Sequence, residues 1–128
     1  MAKNVEKILL VDDEPDIRTI GELSLSKVGM WNTLVAASGK EALTMGEAEQ
    51  PDLILLDVMM PEMDGPTTLA RLREIAGLRD VPVIFLTAKV QKNEVERYMG
   101  LGVLGVIRKP FDPMTLPTQI RELLAEAN

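Results

Sequence analysis

The chain has 128 residues, 46% of them hydrophobic, with a formal net charge of −6 and only two Phe, one Tyr and one Trp. That suffices for one domain with a sizeable, mostly aliphatic core. Without Cys or His it has no disulfide, no thiolate metal site, no imidazole base and no phosphohistidine of its own. An acidic chain lacking a basic cluster is a poor partner for nucleic acid or an anionic membrane.

In chain order, MAKNVEKILLVDD carries too short an apolar run for a secretory signal or a membrane span, which fits a cytoplasmic protein. Within it, KILLV is the first candidate strand. A helical face follows, made of Ile17, Ile20, Gly21, Ser24, Leu25 and Val28, with Pro15 near its start and Gly29 past its end. Thr33–Ala36 is a weaker apolar run, and Ala42, Leu43 and Gly46 mark a weak second helix. DLILLD is a clear run ending at Asp57. Gly65-Pro66 then opens a third helix whose face is Leu69, Leu72, Ile75 and Ala76. VPVIFLT precedes a short helix with Val95, Tyr98 and Met99 that ends near Gly100. After a weak run at Val103–Ile107 comes the clearest periodicity, Leu116, Ile120, Leu123, Leu124 and Ala127. Proline deep inside that helix would clash and remove a hydrogen bond, so Pro117 predicts either a start near Thr115 or a kink.

The runs are apolar throughout rather than alternating, as in strands buried on both faces of a parallel sheet; a buried helix segment is the alternative for each alone. Together they predict an α/β fold of the (βα)5 type, with helices on both faces and no second domain. In such a sheet ligands bind at the carboxyl edge of the strands. Four strands carry polar residues there: Asp12, Asp13 and Glu14 after the first, Asp57 on the third, Thr87 on the fourth and Lys109 on the fifth. Singly, each has a plain reading. Asp13 could cap a helix, Asp57 could be a turn acid, Thr87 a capping hydroxyl and Lys109 a solvated amine. Their coincidence at one edge argues for a site.

VDDEP (11–15), LLDVMMPEMDG (55–65), TA at Thr87–Ala88 and KPF (109–111) closely resemble the motifs of the receiver domain of two-component response regulators, of the chemotaxis single-domain type. The resemblance runs nearly the full length and implies a flavodoxin-like five-stranded parallel sheet of order 2-1-3-4-5. That order puts Asp12 and Asp13 on one side of Asp57 and Thr87 on the other, at a strand spacing of about 4.8 Å. Carboxylates so close repel by about 4 kcal/mol per pair at a spacing of 4 Å. One lysine cannot offset this, whereas Mg²⁺ with a phosphoryl group can, and zinc is a poor fit without Cys or His.

The resemblance further implies that Asp57 accepts a phosphoryl group from a histidine kinase or histidine phosphotransfer protein. Asp12, Asp13, Asp57 and the Met59 carbonyl would hold Mg²⁺, Lys109 would pair with the phosphoryl oxygens, and Thr87 would move to hydrogen-bond them. It also implies a cis Lys109–Pro110 peptide, a downstream protein target, a monomer, and no turnover on a separate substrate. Two features depart from the pattern. Val106 stands where these domains usually carry an aromatic, so either loop and helix shifts carry the switch or the switch is lost. Met59 and Lys89, with Ala88 beside them, border the expected phosphoryl position. They either restrict hydrolytic water or, for Met59, simply pack in the loop.

Other classes fit less well. A dehalogenase-type phosphatase needs an acid at the position of Met59. Flavodoxin-type cofactor binding needs a Ser/Thr/Gly-rich loop where this chain has Asp-Asp-Glu. A degenerate scaffold would not keep all five polar residues, and a receiver cut from a longer regulator remains open.

Overall fold

The computed structural model describes residues 4–127. Strands β1 (Lys7–Val11), β2 (Asn32–Ala36), β3 (Leu53–Asp57), β4 (Val83–Thr87) and β5 (Gly105–Arg108) form one parallel sheet in the order β2-β1-β3-β4-β5. They alternate with helices α1 (Pro15–Leu23), α2 (Gly39–Glu49), α3 (Gly65–Leu72), α4 (Lys92–Met99) and α5 (Leu116–Glu126). This is the flavodoxin-like (βα)5 fold and the strand order expected above.

The apolar runs are strands because both of their faces are covered. Every residue of β3 and β4 is buried, and neighbouring side chains point to opposite faces. Leu9, Val11, Ile54, Leu56, Val83 and Phe85 pack with Ala42, Leu69, Leu72 and Tyr98 of α2, α3 and α4. Ile8, Leu10, Leu53, Leu55, Ile84 and Leu86 pack instead with Leu25, Leu116 and Ile120. With a helical layer on each side, neither face can be polar.

Two helices differ from expectation, and α5 takes one of the two forms expected for it. After α1 the backbone continues as a π turn, Ser24–Val28. Of the expected face, Gly21, Ser24 and Leu25 are buried, while Ile20 and Val28 are exposed. The Ser24 hydroxyl donates to the Pro113 carbonyl just before α5, which satisfies that buried group. α3 stops at Leu72, and Ile75 and Ala76 fall in the following turn. There the Arg73 guanidinium donates to the carbonyls of Leu78 and Val81 at 3.1 and 2.6 Å, and Gly77 reverses the chain at φ +88°. Lastly, α5 starts at Leu116 without a kink, with Pro117 in its first turn where a missing N–H leaves nothing unsatisfied.

Gly65 sets the approach of α3 to the sheet edge. A Cβ there would stand 2.7 Å from the Asp57 carbonyl oxygen and 2.8 Å from the Val58 Cα, both backbone atoms. Gly65→Ala should therefore push the β3–α3 loop off the strand and cost about 1–3 kcal/mol, the usual range for overpacking. A urea midpoint equal to that of the wild type would contradict this.

Candidate functional site

The strand ends bring the predicted polar residues together. Hydrogen bonds of the sheet type continue past the strands: Asp12 N donates to the Ala36 carbonyl at 3.1 Å, Val58 N to Leu86 at 3.0 Å and Lys109 N to Thr87 at 2.9 Å. The site residues thus sit on rigid extensions of the sheet rather than on free loops. Carboxylate oxygens of Asp12, Asp13 and Asp57 lie within 4.8 Å of one another. Lys109 spans the remaining gap, with Nζ 2.9 Å from Asp12 Oδ2 and 3.2 Å from Asp57 Oδ1. The Lys109–Pro110 peptide is cis.

Lys109 is no solvated amine, since its side chain is 12% exposed and meets three acids. Asp13 does not cap α1; Glu14 occupies the N-cap, without a side-chain cap. The Thr87 hydroxyl is buried and accepts from Lys89 N at 3.0 Å, a local turn bond that also aims it at the edge. Asp57 Oδ1 accepts a long bond of 3.4 Å from Met59 N, while Oδ2 is buried with no hydrogen-bond partner.

Burial first, then the charge of Asp12 and the neighbouring Asp13 carboxyl, raise the Asp57 carboxyl from its ordinary 3.8 to about 7, against the opposing charge of Lys109. For Lys109 burial works downward, but the hydrogen bond and charge of Asp12, followed by those of Asp57, outweigh it and hold the ammonium above the usual lysine range. The cluster therefore carries an excess of negative charge around a carboxylate with an unused buried oxygen. Three hard oxygen donors without sulfur or nitrogen fit a small divalent cation. A carboxylate so placed, beside the Lys109 ammonium and the Thr87 hydroxyl, has the surroundings that charge-neutralised group transfer needs.

Met59 is 63% exposed, so it does not pack into the loop. With Lys89 it lines a cleft of about 390 Å³ that continues along Val58, Arg97, Tyr98 and Leu101. None of the three clustered carboxylates lines that cleft, which opens beside the site and not onto it. Ala88 is exposed next to Thr87. Val106 is not at the site: it pairs with Phe85 across β4 and β5, half-buried against the core. The aromatic beside Phe85 comes instead from α4, where buried Tyr98 meets the ring edge-on at a centroid distance of 5.4 Å.

Two contributors had no distinguishing signal in the sequence. Glu14, the third acid after β1, brings its Oε1 to 3.2 Å from Lys109 Nζ. Arg18, one turn further along α1, donates to the Asp12 carbonyl at 2.8 Å and fixes the acidic turn from below.

Residues 8–121 match the family described as the response regulator receiver domain. The chain is 43% identical over 97% of its length to half of a probable transcriptional regulator, ycf27, of Cyanophora paradoxa. It is 37% identical over 92% of its length to 51% of response regulator Rre1 of Synechocystis sp.. It thus spans about half the length of the curated relatives it matches. Among solved structures, chemotaxis protein CheY4 of Vibrio cholerae superposes with a TM-score of 0.85 at 29% identity, covering 94% of this chain and 99% of that one. The receiver domain of sensor histidine kinase PA1611 of Pseudomonas aeruginosa, solved with magnesium in its active-site cleft, gives 0.81 at 29% identity, covering 95% and 99%. A sheet of this order, an acidic edge answered by one lysine, and a match over nearly the whole chain agree: the protein belongs to the receiver domain family of two-component response regulators.

Proposed function

We propose that the protein is a phosphoacceptor, in which the Asp57 carboxylate takes a phosphoryl group from a phosphohistidine of a sensor kinase or phosphotransfer protein. It then signals through phosphorylation-dependent contacts with a downstream protein, or passes the group on along a relay. The observation that carries this reading is the meeting of Asp12, Asp13, Asp57 and Lys109 from three different strands around one buried carboxylate. Asp57 attacks phosphorus, and Lys109 neutralises charge on the phosphoryl oxygens. Thr87 offers its hydroxyl hydrogen, which the bond accepted from the Lys89 amide leaves available.

Mg²⁺ is the cation that suits few carboxylates plus a phosphate. Asp12, Asp13, Asp57 and the Met59 carbonyl would hold it, and the magnesium in the cleft of the PA1611 receiver supports that choice. When bound it supplies charge neutralisation for the transferring group. Because the phosphoryl group ends on the protein itself, the domain is a substrate of signalling and not an enzyme with turnover. The relatives named as transcriptional regulators are about twice as long as this chain, so nucleic acid is not assigned to these 128 residues.

The test is incubation with Mg²⁺ and phosphoramidate, following intact mass, with Asp57→Asn in parallel. A gain of one phosphoryl group that needs both Mg²⁺ and Asp57 is expected. No gain, or equal gain in the Asn variant, overturns the reading.

Exposed Met59 and Lys89 flank the phosphoryl position and obstruct the water that would hydrolyse the aspartyl phosphate. Replacing Met59 by the smaller, polar Asn should speed phosphoryl loss about tenfold, equivalent to about 1.4 kcal/mol off the barrier. Decay of the phosphorylated mass after donor removal measures it, and an unchanged half-life would sink the idea.

A further inference from the structure

The surroundings of Lys109 single out Glu14. A lysine ammonium has three N–H donors. Nζ of Lys109 lies 2.9 Å from Asp12 Oδ2, 3.2 Å from Glu14 Oε1 and 3.2 Å from Asp57 Oδ1. Nζ donates hydrogen bonds to Asp12 and Glu14 and forms an ion pair with Asp57, so its close polar contacts are all with carboxylates. A phosphoryl oxygen arriving on Asp57 competes with Asp12 and Glu14 for the donors of Lys109.

The three acids are not equally able to leave. Asp12 is wholly buried, and its other oxygen accepts from Glu14 N at 2.9 Å. Asp57 is the acceptor itself. The Glu14 side chain is 59% exposed, and its carboxylate has no second hydrogen-bond or ion-pair partner among the described residues. Water can take over its hydration at once, so an exposed ion pair of this kind is worth little and breaks easily.

We infer that Glu14 is a displaceable partner of Lys109, which occupies one of the lysine's two hydrogen bonds in the unphosphorylated protein and yields that donor to the phosphoryl oxygen. This rests on the phosphoacceptor reading of Asp57. Glu14 touches neither the reacting atoms nor the donor, and so acts as a positioning residue. Its contact holds the lysine where the phosphoryl group will need it and at the same time slows uptake, because each transfer requires the pair to open.

Phosphoramidate serves as the probe. Its P–N bond breaks, a P–O bond forms to the Asp57 carboxylate, and the nitrogen, already protonated in the donor, leaves as ammonia. At saturating Mg²⁺, Glu14→Gln should gain the phosphoryl group about tenfold faster than the wild type, a barrier change of about 1.4 kcal/mol. Two variants separate contact from charge. Glu14→Asp keeps the charge but is one methylene short of Lys109, and should also be fast. Asp16→Asn removes a neighbouring exposed charge in the first turn of α1 and should stay within about twofold of the wild type, a barrier change under ~0.5 kcal/mol.

A second readout needs no phosphoryl transfer. The ¹⁵N-resolved ammonium signal of Lys109 in the metal-free protein should shift and exchange faster with water in Glu14→Gln and Glu14→Asp, and not in Asp16→Asn. If the wild type takes up no phosphoryl group, the phosphoacceptor reading falls and this inference with it. If the wild type is phosphorylated but Glu14→Gln reacts at the same rate, or Glu14→Asp matches the wild type in both measurements, the inference alone is overturned.

Discussion

Asp57→Asn is expected to make the metal-free protein more stable at pH 7.5 by about 2–4 kcal/mol. The carboxyl is raised from 3.8 to about 7 in the folded protein, mainly by burial and then by the charge of Asp12. The folded state therefore keeps a proton that the unfolded chain releases between those two values. The stability tied to that proton is fully present below about pH 4 and is lost as the pH climbs to 7. At about 1.4 kcal/mol per pKa unit, the rise corresponds to about 4 kcal/mol at most. Asn fills the same space without titrating, so the difference between the two proteins should vanish near pH 4 and open towards neutral pH. Chemical denaturation of both, with chelator, at pH 4, 5.5 and 7.5 measures it. A gap independent of pH would show that packing, and not ionisation, separates them. Burying this carboxylate thus costs the folded protein stability at neutral pH.

The second large effect concerns the cation. Lys109→Met preserves much of the aliphatic stem but leaves Asp12 and Asp57, both almost fully buried, without a counter-charge. Removing one member of a buried ion pair costs about 3–5 kcal/mol. A loss of about 3 kcal/mol is expected at pH 7.5, since Asp57 can relieve part of the strain by holding its proton. Two conditions should shrink it: pH 5, where Asp57 is protonated in either protein, and added Mg²⁺, which can replace the missing positive charge. Thermal or urea unfolding under the three conditions distinguishes the cases. A loss that is equal in all of them would assign the cost to packing of the stem. Phosphoryl uptake in this variant should drop far more than stability, because no other described cation reaches Asp57.

Much of this was legible in the residues. Short, wholly apolar, Val/Ile/Leu-rich runs alternating with 3.6-residue periods specify buried parallel strands, because only a sheet covered on both faces can hide such runs. Polar residues at the ends of those runs must share one edge, since all strands of a parallel sheet finish on the same side. Asp12, Asp13, Asp57, Thr87 and Lys109 followed from that topology before any distance was known. The resemblance supplied the strand order, which periodicity cannot, because the order depends on which crossovers pack best in three dimensions.

What local pattern could not carry is the set of contacts made across the chain. The π turn at Ser24–Val28 answers to the Pro113 carbonyl, 89 residues away from Ser24, and no helical periodicity contains that partner. The early end of α3 follows from a guanidinium bonding two carbonyls of the next loop. Tyr98 read as one more apolar position on a short helix, and only packing puts it edge-on against Phe85 opposite the small Val106. Glu14 looked like an ordinary exposed acid beside two more important ones. Its meeting with Lys109 joins residues 95 positions apart, and such a pairing is decided by side-chain reach at the assembled edge. The sequence by itself therefore determined the layers, the edge and which polar residues meet there. The tertiary structure decided how charge is shared there, because electrostatic balance depends on distances and burial that exist only once the strands are side by side.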